Sequence, residues 1–71
     1  MNISYSDKSD LLYLRLDDTK QEVINKKIDE NIVLDIGVDD KIVGIEILNA
    51  SKIVSLSNLL PINFESLKTS T

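Results

Sequence analysis

ENIVLDIGVDDKIVGIEILNAS, residues 30–51, carries two runs of β-branched and apolar residues on either side of an Asp39-Asp40 pair. Val and Ile at this density fit a pleated, half-buried surface. A two-residue turn at Asp39-Asp40, with Val38 opposite Lys41, sets Ile36 against Val43, Leu34 against Ile45 and Ile32 against Ile47. Every residue of that face is apolar. The other face sets Val33 against Glu46 and Asp35 against Gly44. A slip of one residue would place Ile32 opposite Glu46 and Leu34 opposite Gly44, so the apolar pattern fixes the register. Such a turn requires positive φ, where Gly or Asn fits best and Asp is accommodated at some cost.

Working outward, Ile3 to Ser6 reads as a first strand and Asp7-Lys8-Ser9-Asp10 as a turn of short polar side chains. Leu11 to Leu16 is a second strand. Leu12, Leu14 and Leu16 point one way; Leu11, Tyr13 and Arg15 point the other. Glu22 to Ile28 alternates poorly, and Lys26 and Lys27 suit a sheet edge. Beyond Leu48, Asn49 or Ser51 offers a cap, and Ile53, Val54, Leu56, Leu59 and Leu60 recur at near-helical spacing up to Pro61. The expected fold is α+β: a small antiparallel β-meander of four to five strands followed by one C-terminal helix, Ser51 to Leu60. Residues 1–61 form one domain and 62–71 a partly disordered tail.

Composition excludes several chemistries. The 71 residues contain no His and no Cys, which removes the usual general base, the thiolate and the commonest transition-metal ligands. A formal charge of −4 and aromatics limited to Tyr5, Tyr13 and Phe64 argue against a nucleic-acid partner. No apolar run is long enough to span a bilayer, and the first residues lack a basic-then-apolar leader pattern. The expectation is a cytoplasmic protein that is not an enzyme and needs no cofactor.

A core this small is marginal alone, and association is a common remedy. One short helix covers one sheet face at most. The opposite face, bearing Leu11, Tyr13, Arg15, Val33 and Glu46, is left for a partner: a second copy, giving a homo-oligomer, or a small protein. The alternative is a ligand-binding or catalytic domain using Asp35, Glu46 and Arg15 near Gly44, since paired carboxylates serve acid–base chemistry or hold a cation and a strand glycine leaves room for close approach. The plainer reading of those charges is a solvated face or an Arg15–Glu46 ion pair between molecules. Asp7, Asp10, Asp17 and Asp18 lack the spacing of a calcium loop and read as turn residues. Asn49-Ala50-Ser51 reads as a helix cap rather than as an anion site.

Asp35, the Asp39-Asp40 turn and Ile42-Val43-Gly44-Ile45-Glu46-Ile47-Leu48-Asn49-Ala50-Ser51, with Tyr5-Ser6-Asp7-Lys8-Ser9-Asp10-Leu11-Leu12-Tyr13-Leu14-Arg15-Leu16, resemble a prokaryotic family of very small proteins catalogued as domain of unknown function 2283. The resemblance covers Ile3 to Ser51 and departs at Asp40, where the family usually carries the turn glycine. It implies a fold and a surface but no activity. Some members are reported beside small toxin-like proteins, which implies a partner-binding role.

Overall fold

The computed structural model describes residues 1–55. Five strands form one antiparallel sheet: β1 (Asn2–Ser6), β2 (Leu11–Arg15), β3 (Ile24–Lys27), β4 (Ile32–Ile36) and β5 (Ile42–Leu48). The strand order is β1-β2-β5-β4-β3, so the expected meander is corrected. The β1–β2 hairpin joins a β3–β4–β5 meander through pairing of β2 with β5, and β3 ends at the far edge. Polarity accounts for the order. Leu12 and Leu14 find Ile47 and Ile45 as cross-strand partners on β5, whereas β3, INKK, is exposed along its whole length.

The central register is the one the sequence dictates as far as Asp35: Ile32 opposite Ile47, Val33 opposite Glu46, Leu34 opposite Ile45, Asp35 opposite Gly44. There the expectation fails by one residue. Ile36 pairs with Ile42, and a bulge makes Val43 the extra residue. The Val43 carbonyl is engaged on the other side, accepting from the Leu16 and Asp17 amides at 2.8 and 3.2 Å. The turn itself is the expected one. Asp39 and Asp40 both have positive φ, 59° and 58°, and the Lys41 amide donates to the Val38 carbonyl at 3.3 Å. Gly37 donates to the Lys41 carbonyl at 2.8 Å, and the displaced Val38 amide is met by Gln21 Oε1 at 2.8 Å. The β2–β3 connection is thereby pinned to the hairpin end.

One sheet face carries Ile3, Tyr5, Leu12, Leu14, Ile32, Leu34, Ile45 and Ile47 in cross-strand rows. Leu12 at its centre is fully buried, while the others are half-buried. No α-helix occurs among the described residues. The expected helix begins instead as a single 3-10 turn, Ala50–Lys52, and Ser55 is already outside regular structure. Its remainder, 56–60, the boundary at 61 and the tail lie outside the described residues. The cap also differs. Asn49 sits in the left-handed region with no side-chain cap bond; its amide nitrogen donates to Asn31 Oδ1 at 3.1 Å.

Candidate functional site

Two polar clusters stand out, one on each side of the sheet. The first is centred on Asp10, itself at φ 53° in the β1–β2 turn. Its Oδ1 accepts from the Tyr5 hydroxyl at 2.8 Å and from the Ser51 amide at 3.0 Å, and its Oδ2 accepts from the Ser51 hydroxyl at 2.7 Å. Its carbonyl accepts from the Ala50 amide at 2.9 Å. Bonds from Ser51 and Tyr5 favour the ionised carboxylate and hold its pKa below the ordinary value. The same carboxylate raises the Tyr5 pKa. The Ala50 and Ser51 amides are thus taken by Asp10, and this cluster is a structural clasp. It also shows which way the chain turns. Tyr5 lies in the same cross-strand row as Leu12, so Ala50–Lys52 is clasped on the apolar side.

The second cluster lies on the other face. Tyr13 pairs with Glu46, Arg15 with Gly44, Val33 with Glu46 and Asn25 with Asp35. Neighbouring cross-strand rows therefore bring these side chains together. The Tyr13 ring lies across Gly44, where any Cβ would collide with its hydroxyl and Cζ. That hydroxyl donates to Asp35 Oδ2 at 2.9 Å. Asn25 Nδ2 donates to Asp35 Oδ1 at 2.5 Å and makes a longer contact, 3.4 Å, with Glu46 Oε2. Arg15 stands over the Tyr13 ring, its guanidinium carbon 5.4 Å from the centroid, within cation–π range.

Asp35 is only 6% exposed, yet both its oxygens are hydrogen-bonded. That is how a buried carboxylate avoids an uncompensated desolvation cost. The Glu46 pKa is raised, chiefly because its protonated form hydrogen-bonds to Asp35, with partial burial and the Asp35 charge adding to the effect. Burial, then the bond to Asp35, raises the Tyr13 pKa.

The five residues expected on one face, Leu11, Tyr13, Arg15, Val33 and Glu46, do share it. Tyr13, Arg15 and Glu46 surround Asp35 and Gly44. Leu11 stands one row away, opposite Leu48. Asp35, Glu46 and Arg15 also gather near Gly44, but the room expected there for a ligand is filled by Tyr13. Among the described residues no group of three or more His, Cys, Asp or Glu could hold a metal ion. No helix among them is long and apolar enough to cross a membrane. Sequence reasoning missed Asn25. Its signal was available only through the β3–β4 register, which places it opposite Asp35.

The family model described as protein of unknown function (DUF2283) matches residues 2–51. No curated protein matches the chain. No solved structure matches it either.

Proposed function

The chain belongs to the family described as protein of unknown function DUF2283, and from that premise we propose that it is a cytoplasmic protein-interaction module rather than a catalyst. Its partner docks on the face that bears Leu11, Tyr13, Arg15, Val33 and Glu46. The observation that carries this reading is the Tyr13–Arg15 pair. Tyr13 is held by its bond to Asp35 and by its seat on Gly44, and Arg15 stands over its ring. Tyr and Arg are the residue types that dominate binding energy when centrally placed in an interface. A side chain already fixed in position loses less entropy on docking. The chain leaves β5 toward the opposite face, where Asp10 clasps Ser51, so none of the described residues after β5 is drawn over the Tyr13 face. Leu11, Val33 and Leu48 supply half-buried apolar surface around the pair.

The test is co-purification of the tagged full chain from its native host, followed by mass determination of the eluate. The expected result is a stoichiometric second protein that is lost with Arg15→Glu. That substitution changes an exposed side chain and should leave the circular dichroism spectrum intact. A chain that elutes without a second protein at low and high salt, or an Arg15→Glu variant that retains one, overturns the reading.

A further inference from the structure

We infer that β1 is a self-pairing edge: two copies of this chain join β1 to β1, antiparallel, about a two-fold axis through Ser4, fusing their sheets into one. This goes beyond the docking residues Leu11, Tyr13, Arg15, Val33 and Glu46, none of which takes part in the pairing.

Among the described residues the sheet is open, and its two outer strands are unlike. β1 is Asn2-Ile3-Ser4-Tyr5-Ser6, without a charged side chain; β3 is Ile24-Asn25-Lys26-Lys27. Among the described residues nothing pairs with the outer side of either strand. An uncharged edge presents a row of unpaired N–H and C=O groups to another strand, and lysine is a common guard against that.

Hydrogen-bond phase identifies which groups point outward. The Leu48 amide donates to the Asn31 carbonyl at 2.7 Å, so Leu48 directs its backbone at β4. Alternation along β5 then turns Ile47 and Ile45 toward β2, where they meet Leu12 and Leu14. The Leu16 amide on the Val43 carbonyl keeps the same phase. Leu11, Tyr13 and Arg15 therefore direct their backbone groups at β1, against Ser6, Ser4 and Asn2. The N–H and C=O of Ile3 and Tyr5 remain, facing outward.

A two-fold axis through Ser4 uses these groups and no others. It sets Ile3 opposite Tyr5 of the second copy, and Tyr5 opposite Ile3 of the second copy, as mutually hydrogen-bonded pairs. Ser4 meets its own symmetry mate in the non-hydrogen-bonded position between them, where facing side chains stand closest. The side chains agree with the backbone. Ile3 against Tyr5 is an aromatic–β-branched pair, a favourable cross-strand combination. It continues the apolar face from one sheet into the next, while Ser4, Asn2 and Ser6 form an uncharged polar strip on the other face. The register centred on Tyr5 would set Ile3 against Asp7. On β3 the corresponding axis passes through Lys26: the Ile28 amide donates to the Ile32 carbonyl at 2.9 Å, so Asn25 and Lys27 hold the outward groups. Lys26 would then face its own symmetry mate, a destabilising like-charge pair. The isologous, self-complementary arrangement is thus available to β1 and disfavoured at β3.

Sedimentation of the purified full chain should show a dimer. Ser4 is exposed, so Ser4→Lys should leave the fold intact by circular dichroism and weaken the dimer about tenfold or more. Equimolar Ser4→Lys and Ser4→Glu chains should recover it. The chain has no cysteine, so Ser4→Cys should oxidise to a single disulfide-linked dimer, with the facing Cα atoms about 4.5 Å apart, while Lys26→Cys should not. A monomeric wild type, association that survives Ser4→Lys, or a Ser4→Cys chain that does not cross-link overturns the inference. Arg15→Glu should leave the dimer unchanged, which keeps this outcome separate from that of the Tyr13 face.

Discussion

The two faces of the sheet are built on different principles, although they share every strand. The Leu12 face is held by area and shape: leucines and isoleucines in adjoining rows, with Leu12 wholly out of water. The Tyr13 face is held by saturation. A nearly buried carboxylate takes donors from Tyr13 and Asn25, and the glycine beside it exists because a tyrosine ring lies in the place of a side chain. Among the described residues no buried side-chain polar atom lacks a hydrogen-bond partner. The difference shows where each face is vulnerable. An apolar face loses stability in proportion to the volume removed, whereas a saturated network loses it when one partner of a buried group is deleted.

Leu12→Ala should be the most damaging single change, destabilising the protein by about 2–5 kcal/mol, since Leu12 is fully buried. Chemical denaturation of purified variants measures it; a loss near zero would mean that the apolar face does not carry the fold. Tyr13→Phe keeps the ring over Gly44 but removes the donor to Asp35. It should destabilise the protein by about 1–3 kcal/mol. A neutral outcome would show that Asn25 alone satisfies Asp35. Asp40→Gly touches neither face. It relieves a non-glycine residue at φ 58° and should stabilise the protein by about 0.5–1 kcal/mol, raising Tm by several degrees in a domain of this size.

Glu46→Gln is the smallest and most diagnostic change. The folded-state pKa of Glu46 is raised above its ordinary 4.5, so the folded protein binds that proton more tightly than the unfolded chain. The resulting stabilisation is fully present below about pH 4.5 and is lost as pH rises through the folded pKa. Gln mimics the protonated acid, so the variant should melt higher than wild type at pH 7, and the gap should close near pH 4. The lowered pKa values of Asp10 and Asp17 act in the opposite sense, costing stability on acidification. The difference between variant and wild type isolates Glu46. A gap independent of pH would remove Asp35 as its cause.

Much of the fold was legible in residues 30–51 because a period-two pattern with one all-apolar face admits a single register. The departures arise where backbone, not side-chain pattern, decides. The bulge at Val43 follows from its carbonyl being claimed by Leu16 and Asp17, which no alternation rule encodes. The strand order depends on β2 choosing β5 over β3, a long-range preference set by the Leu12–Ile47 and Leu14–Ile45 pairs. The helix was read from the spacing of Ile53, Val54 and the leucines that follow. Through Ser55 the chain instead makes one tight turn, fixed by Asp10 from a distant part of the sequence. The candidate face was legible in part: alternation alone placed Tyr13, Arg15, Val33 and Glu46 together, but the contact between Tyr13 and Asp35 required knowing that Arg15 sits opposite Gly44.

The strand order has a consequence for how the molecule assembles. Two of its units close over short loops, the β1–β2 hairpin and the β3–β4–β5 meander, while the β2–β5 seam joins residues that are far apart in sequence. Local pairings form quickly, and non-local ones must first meet the entropy of loop closure. The seam is therefore expected to form after the local pairings. The amides of Ala50 and Ser51, protected only once Asp10 has arrived from the other piece, should be among the last to resist hydrogen exchange. The same geometry makes the polar connection Asp17–Gln21 a natural cut point, where the chain divides into two fragments that carry complementary halves of one seam.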